Sequence, residues 1–232
     1  MEMFTKSEYS SISVKDLLGR TLNDVEEKFA PKILYVKGTM EIPLPRPRVS
    51  IIGSRKASTD GIEAAKTITK TLAVKQTVIV SGLAEGIDTS AHQTAIDLGG
   101  KTIAVLGTPL NKVYPRKNFE LQQEIMSKHL AISQFPIGHP TTPKDFVLRN
   151  RTMALISDAT IIVEAGDTSG SLHQGWEALR LGRPLFIWKS ILNNSQLSWP
   201  KKMIQYGAME LSDPTDMFEI LPSNLPMPDM FQ

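Results

Sequence analysis

The sequence contains no cysteine, which excludes disulfide bonds, thiol nucleophiles and cysteine-rich zinc sites. A chain without cysteine fits a reducing compartment, so we expect a cytoplasmic location. Long apolar runs are missing too, because charged residues interrupt every hydrophobic stretch before it reaches membrane-spanning length, and no membrane association is expected. The four histidines are scattered without a ligand partner four residues further on, so neither a metal nor another cofactor is predicted.

An excess of charge of one sign is also lacking, since 26 lysines and arginines oppose 24 aspartates and glutamates among 232 residues. A net charge of +2 is too small for a protein that coats nucleic acid indiscriminately. If the partner is a polyanion, the basic residues must therefore be concentrated in one part of the surface. The length suits one large α/β domain, or one domain with small additions.

What the sequence does contain is an alternation of short apolar runs with helical patterns. Runs typical of buried strands lie at 49–52, 77–80, 102–106, 130–133, 160–163 and 184–188. Helical spacing falls between them, at 60–74, 88–98, 119–128, 144–157 and 171–182. Strands that are apolar on both faces and separated by helices predict an α/β fold with a doubly wound, mostly parallel sheet and helices on both faces.

The two ends of the chain differ from this alternating part. Residues 1–45 are expected to form an N-terminal appendage and linker, with a short helix over 13–18 and a strand over 33–36. The core domain is predicted to span 46–221, and residues 222–232 are predicted to form an irregular tail. Within the core domain, the apolar segment 184–188 and the stretch 199–206 could line a dimer seam or fill the core.

Glycine-rich turns follow several of the predicted strands. Segment 81–88 reads SGLAEGID and segment 169–171 reads SGS, and each follows a β-branched run and opens a helix. The N–H groups that are free at such a helix start, together with the helix dipole, bind anions and above all phosphate. Ligands of a doubly wound sheet lie beyond the carboxyl ends of its strands, so we expect these turns and nearby basic residues to share one crevice. The candidates are Gly53, Ser54, Arg55, Ser81, Gly82, Gly86, Lys112, Arg116, Lys117, Arg149, Ser169, Gly170 and Ser171.

The predicted helix over 144–157 is apolar nearly all round, yet it carries two arginines, Arg149 and Arg151, on opposite sides. A buried arginine needs an anionic partner, because an unpaired buried charge costs several kcal/mol. The partner could be a carboxylate such as Asp158 or Glu164, or it could be a phosphate. We expect one arginine to serve each purpose, with Arg149 contacting the ligand and Arg151 holding the structure, as do Asp158 and Glu164.

Other polar residues have structural interpretations. Asp88 is placed to cap the helix that follows it, His92 is interpreted as a packing histidine, and Asn118 has the character of an N-cap. One hydroxyl of segment 169–171 suffices for capping, which leaves the second for a ligand. Tyr114 stacks on a base or packs under its loop, and the sequence leaves both interpretations open.

Taken in order, these motifs resemble the DNA-processing protein A (DprA, also called Smf) family. Matching strings run from about residue 33 to residue 190 and include RVSIIGSR at 48–55, SGLAEGID at 81–88, YPRKN at 114–118, RNR at 149–151 and SGSL at 169–172. The resemblance implies an extended Rossmann-like domain that binds single-stranded DNA, dimerises and helps to load a RecA-type recombinase during DNA uptake, and that is not an enzyme. It also implies DNA contacts at Asn118 and Phe146, and the matching strings add Ala84 and Asn150 to the candidates.

The sequence departs from this family's pattern in several places. Pro-Leu-Asn stands at 109–111 where an acidic residue is usual, Gln134 replaces a frequent glutamate, and His-Gln-Gly stands at 173–175 where a Thr-Ala pair is usual. The flanking helical and winged-helix domains of full-length relatives are also expected to be missing. Two alternatives therefore stay open, a sensor of a nucleotide-derived ligand and an enzyme similar to phosphoribohydrolases. Against the enzyme, residues 165–174 lack the glutamate of its Pro-Gly-Gly-x-Gly-Thr-x-x-Glu loop.

Overall fold

Nine strands pair into one sheet in the computed structural model, which describes residues 9–222. They are β1 (Ser10–Ile12), β2 (Leu34–Gly38), β3 (Arg48–Gly53), β4 (Val78–Ser81), β5 (Thr102–Leu106), β6 (Leu130–Ser133), β7 (Ala159–Glu164), β8 (Leu185–Trp188) and β9 (Met209–Leu211). Their order across the sheet is β1-β2-β6-β5-β4-β3-β7-β8-β9. The strands from β6 to β9 in this order pair in parallel, whereas β2 pairs antiparallel with both β6 and β1.

Helices connect the strands and cover the sheet. The described helices are α1 (Val14–Leu18), α2 (Asp24–Glu27), α3 (Thr59–Val74), α4 (Ile87–Asp97), α5 (Phe119–Lys128), α6 (Pro143–Ile156), α7 (Ser171–Arg180), α8 (Lys189–Leu192) and α9 (Trp199–Gln205), with 3-10 turns at Arg116–Asn118 and Pro214–Glu219. None of these helices is both long enough and apolar enough to cross a bilayer.

Alternate residues of the central strands face opposite layers of helices. In β3, Val49 and Ile51 pack in one apolar cluster with α3 and α4, whereas Ile52 packs in the other cluster with α6 and α7. In β4, Ile79 joins the first cluster and Val80 the second. Side chains of a strand alternate between the two faces of its sheet, so both faces here are buried. The prediction of a doubly wound, mostly parallel sheet with helices on both faces is confirmed.

The N-terminal segment differs from its expected role as an appendage. Strand β2 pairs with β6, and β1 pairs with β2, so the described part of residues 1–45 extends the same sheet. Leu17 and Leu34 are fully buried in the cluster that also contains α6 residues. No packing boundary therefore falls at residue 45. Of the predicted tail, residues 223–232 lie outside the described residues.

The strand order reverses at β3 and β7, and this reversal locates the site. From β3 the chain proceeds through β4, β5 and β6 on one side, and then returns to β7 on the other side. The loops after β3 and β7 consequently leave the sheet in opposite directions and open a crevice between them. Gly53 and Glu164 are paired at this edge of the sheet.

Candidate nucleic-acid interface

A cavity of about 580 Å³ lies in this crevice. Its wall is formed by the loops after β3, β4 and β7 and by one side of α6 and of α7. Most of the predicted site residues meet there, although they come from separate parts of the chain. The candidates that line the cavity are Gly53, Ser54, Arg55, Ala84, Phe146, Arg149, Asn150, Ser169, Gly170 and Ser171.

The loop after β3 supplies the exposed cations of the cavity. The Ser54 N–H donates to the Glu164 carbonyl at 2.7 Å, which fixes the loop against the end of β7. Arg55 and Lys56 follow on this loop, and both are exposed lining residues. The Arg55 guanidinium lies 5.7 Å from the centroid of the Phe146 ring, within the range of a cation–π contact.

Arg149 is the buried cation of the cavity wall. Its Nη1 donates to the carbonyls of Gly82 and of Val105, the latter at 2.7 Å, and its Nε donates to Asn150 Oδ1 at 2.9 Å. Burial lowers the pKa of Arg149 to about 10, and the charge of Asp88 opposes this shift. The guanidinium is thus charged at neutral pH and held by backbone carbonyls.

The prediction that Asp158 or Glu164 pairs with an arginine of α6 is wrong. Asp158 binds Arg46 and Arg48, and Glu164 accepts from the Ser58 N–H and hydroxyl at the start of α3. Both carboxylates therefore have structural contacts, but with other residues. Arg151 faces away from the cavity, with its guanidinium 4.9 Å from the centroid of the Phe29 ring.

Asp88 holds the loop after β4 by hydrogen bonds. It does not cap α4, which is the role that the sequence predicts for it. The N-cap of α4 is Gly86, whereas Asp88 lies inside the helix and accepts from the N–H groups of Gly82 (3.1 Å) and Ala84 (3.3 Å). Burial raises the pKa of Asp88, and the charge of Arg149 opposes the rise. Gly86 has φ of 76°, and a Cβ there would collide with the Ser54 carbonyl, so only glycine fits this turn.

The start of α7 carries the two serines of the cavity. Ser169 Oγ and Ser171 Oγ lie 2.6 Å apart, and the Ser171 N–H points to Ser169 Oγ at 3.4 Å. The N-cap position itself is Gly170, whose carbonyl accepts from Asn150 Nδ2 at 3.0 Å. Both hydroxyls therefore lie at the helix start, beside the positive end of the helix dipole.

Two aromatic rings lie at the same site. The centroids of Tyr114 and Phe146 are 5.2 Å apart with an interplanar angle of 55°. Tyr114 packs on Phe146 while half of its surface (50%) stays exposed. The contact with Phe146 is established, and the stacking of Tyr114 on a base stays a prediction.

The remaining candidates lie outside the cavity, for identifiable reasons. Ser81 is fully buried and donates to the Ile51 carbonyl at 2.6 Å, and Gly82 and Gly86 have the backbone roles given above. Asn118 makes no capping bond, because its Nδ2 donates to the Leu83 carbonyl and Thr89 Oγ1. Lys117 pairs with Glu85 beside a second, shallower groove between α3 and α4. Lys112 and Arg116 line neither this groove nor the cavity.

His92 is packed in the interior of the molecule. The ring is fully buried, with Nδ1 at 2.7 Å from Thr102 Oγ1. Burial is the main cause that lowers the pKa of His92 to about 3. The imidazole is therefore neutral over the physiological range.

Several lining residues were not among the candidates. They include Thr168, His173 and Gln174. Thr168 adjoins a predicted residue, so extending that motif by one position would have found it, and Lys56 belongs to the basic residues that the sequence places on the loop after β3. Gln174 gave one signal only, its place in a segment that departs from the family pattern, one helical turn beyond Ser171.

The chain matches a known protein family over most of its length. Residues 5–222 match the family model described as DNA recombination-mediator protein A. The chain belongs to this family. It is 33% identical over 192 residues to the DNA processing protein DprA of Bacillus subtilis, and 37% identical over 188 residues to DprA of Streptococcus pneumoniae. These matches cover 83% and 81% of this chain but 65% and 66% of the two relatives, so the chain spans just under two thirds of their length.

A solved structure from the same family has the same fold. DNA processing protein A of Helicobacter pylori superposes with a TM-score of 0.76 at 27% identity, over 92% of this chain and 95% of that one. That structure concerns the single-stranded DNA binding mode of the Helicobacter pylori protein. The likeness confirms the DprA-type Rossmann-like fold that the sequence motifs predict.

Proposed function

We propose that this member of the DprA family binds single-stranded DNA along the cavity at the carboxyl ends of β3 and β7. One observation carries the proposal: Arg55, Lys56 and the buried Arg149 converge there with the start of α7. Among the charged residues that line the cavity, Asp88 alone is acidic. The single-stranded DNA binding of the Helicobacter pylori relative supports the same ligand here.

Different parts of the site contact different groups of the bound DNA. The N–H groups and hydroxyls at the start of α7 bind a phosphate, and Arg55 and Lys56 bind neighbouring phosphates at the rim. The rings of Phe146 and Tyr114 provide a stacking surface for bases. Phosphate contacts and stacking carry little sequence information, so sequence preference is expected to be weak.

The wider biological role rests on the family description. A recombination mediator acts with a recombinase, so we propose a RecA-type partner, a homodimer and a cytoplasmic location. Only part of the stretch 199–206 is available to a dimer interface, since Trp199 and Met203 are buried in the core of one chain. Tyr206 stays exposed at 67% and is available to a second copy.

A salt titration of labelled oligothymidine tests the DNA site. We expect Arg55→Ala to weaken binding and to reduce the slope of log affinity against log salt by about 0.7, the contribution of one single-stranded phosphate contact. The matched control is Lys70→Ala, which removes one exposed positive charge from α3 and does not line the cavity. Equal slopes for the wild type and Arg55→Ala would contradict the proposal.

The cavity volume is also compatible with the two alternative functions, both of which bind a single nucleotide. Small-molecule sites typically enclose roughly 300–1,000 Å³, so a cavity of about 580 Å³ also suits a single nucleotide. Tight mononucleotide binding without oligonucleotide binding would establish the nucleotide sensor instead. Release of a nucleobase from AMP would establish the phosphoribohydrolase-like enzyme.

A further inference from the structure

The Gln174 carboxamide is buried in the cavity wall without a partner. Gln174 lines the cavity and its side chain is 0% exposed. Among the described residues, neither Nε2 nor Oε1 of Gln174 has a hydrogen-bond partner. Buried polar side chains are nearly always paired, because an unpaired one loses its bonds to water and gains none. A residue that lowers stability in this way suggests a binding role.

The other buried polar side chains of the cavity wall are already engaged. Asp88 accepts from backbone N–H groups, Arg149 donates to carbonyls, and Asn150 bonds both Arg149 and Gly170. Side chains of a helix lean towards its N-terminus, so Gln174 leans towards the turn of α7 that carries the serines. A nucleotide whose phosphate lies at that turn is therefore long enough for its base to reach the Gln174 amide.

We propose that Gln174 hydrogen-bonds the edge of a nucleobase whose phosphate lies at the start of α7. A carboxamide offers one donor beside one acceptor, and base edges carry donors and acceptors side by side. Phosphates and ether oxygens offer acceptors alone. Ile52 and Met153 also line the cavity and provide apolar contacts for the ring.

Access to the amide needs a side-chain rotation, because the cavity wall encloses it. Met153, which lines the cavity next to Asn150, has an unbranched side chain with three rotatable bonds. The proposal requires a rotation of Met153 or of Gln174 itself to admit the base. The inference rests on the proposed function, since the base belongs to the bound strand.

The test compares the wild type with Gln174→Met on three ligands of equal length: oligothymidine, oligodeoxyadenosine and a deoxyribose-phosphate oligomer without bases. We expect Gln174→Met to weaken binding of both base-containing oligomers about tenfold, the equivalent of about 1.4 kcal/mol. Binding of the oligomer without bases should not change. The salt slope should also stay that of the wild type, because no phosphate contact is removed.

Folding of the variant is checked by chemical denaturation. Methionine is close to glutamine in length, and replacing an unpaired buried polar group by an apolar one is expected to leave stability equal or higher. If Gln174→Met does not fold, Gln174→Leu gives the same comparison. Unchanged binding of all three ligands, or equal weakening of all three, would overturn the base contact while the proposed function stands. If the wild type binds no oligonucleotide at all, the proposed function fails, and the base contact fails with it.

Discussion

Arg149 shows how a single residue can serve both the fold and the site. Its charge was expected to meet a phosphate or a carboxylate, since burial demands a partner. The structure instead gives it the carbonyls of Gly82, which follows β4, and of Val105, near the end of the neighbouring β5. Backbone acceptors have no sequence signature, so this partnership could not have been read from residue types. The sequence identified Arg149 because it lies on a helix predicted to be buried. Its partners were missed because they are backbone carbonyls.

We predict that Arg149→Ala lowers the free energy of unfolding by about 3 kcal/mol. The substitution leaves the Gly82 and Val105 carbonyls unpaired and removes the charge that faces Asp88. Urea denaturation measures the loss, and Arg55→Ala, at an exposed position, should stay within about 0.5 kcal/mol of the wild type. A fully stable Arg149→Ala protein would show that the guanidinium serves binding alone.

At the scale of elements, the long helices, the central strands and the five-residue α1 were predictable, whereas the edge strands β1 and β9 and the four-residue helices were not. The helix over 119–128 was predicted to the residue, because its hydrophobic spacing and flanking turn agree. Strands β1 and β9 have three residues each, too few for alternation to stand out from chance. Helices α2 and α8 were missed for the same reason, since they have only four residues each.

The contact between α4 and β5 should make stability depend on pH. Buried His92 of α4 has a pKa of about 3, below its ordinary value of 6.5, so the unfolded chain binds this proton first as the pH falls. Stability should therefore be lost between pH 6.5 and 3, by up to about 1.4 kcal/mol per pH unit. Denaturation of the wild type and of His92→Gln across this range measures the difference. Parallel pH profiles for the two proteins would disprove the role of His92.

At the scale of the whole molecule, the N-terminal segment is tied to the core by charge as well as by its strands. Glu26 of α2 accepts from Arg20 at 2.7 and 2.8 Å, and from Arg183, which follows α7, at 2.5 Å. Hydrogen bonding from Arg20 is the main cause that lowers the pKa of Glu26. The sequence predicts an appendage and linker from local composition, which carries no information about these distant partners.

We predict that Glu26→Gln lowers the free energy of unfolding at pH 7 by roughly 1.5–3 kcal/mol, the range for hydrogen bonds to charged groups. The pKa of Glu26 is lowered by folding, so its contribution is lost as the pH falls through the folded value. The gap between wild type and variant should accordingly close in acid. Glu63→Gln, which breaks an exposed pair with Lys66, is the control and should change little. If the variant is as stable as the wild type at pH 7, the N-terminal segment is held to the core by its strands alone.

Arg149 and Asn150 are consecutive in α6, yet they reach opposite sides of the crevice. Arg149 contacts the ends of the strands on one side, and Asn150 contacts Gly170 on the other. One helix therefore contacts both sides of the opening. A backbone that is already held loses little conformational entropy on association, so we expect strands of very different sequence to be captured at a similar entropic cost.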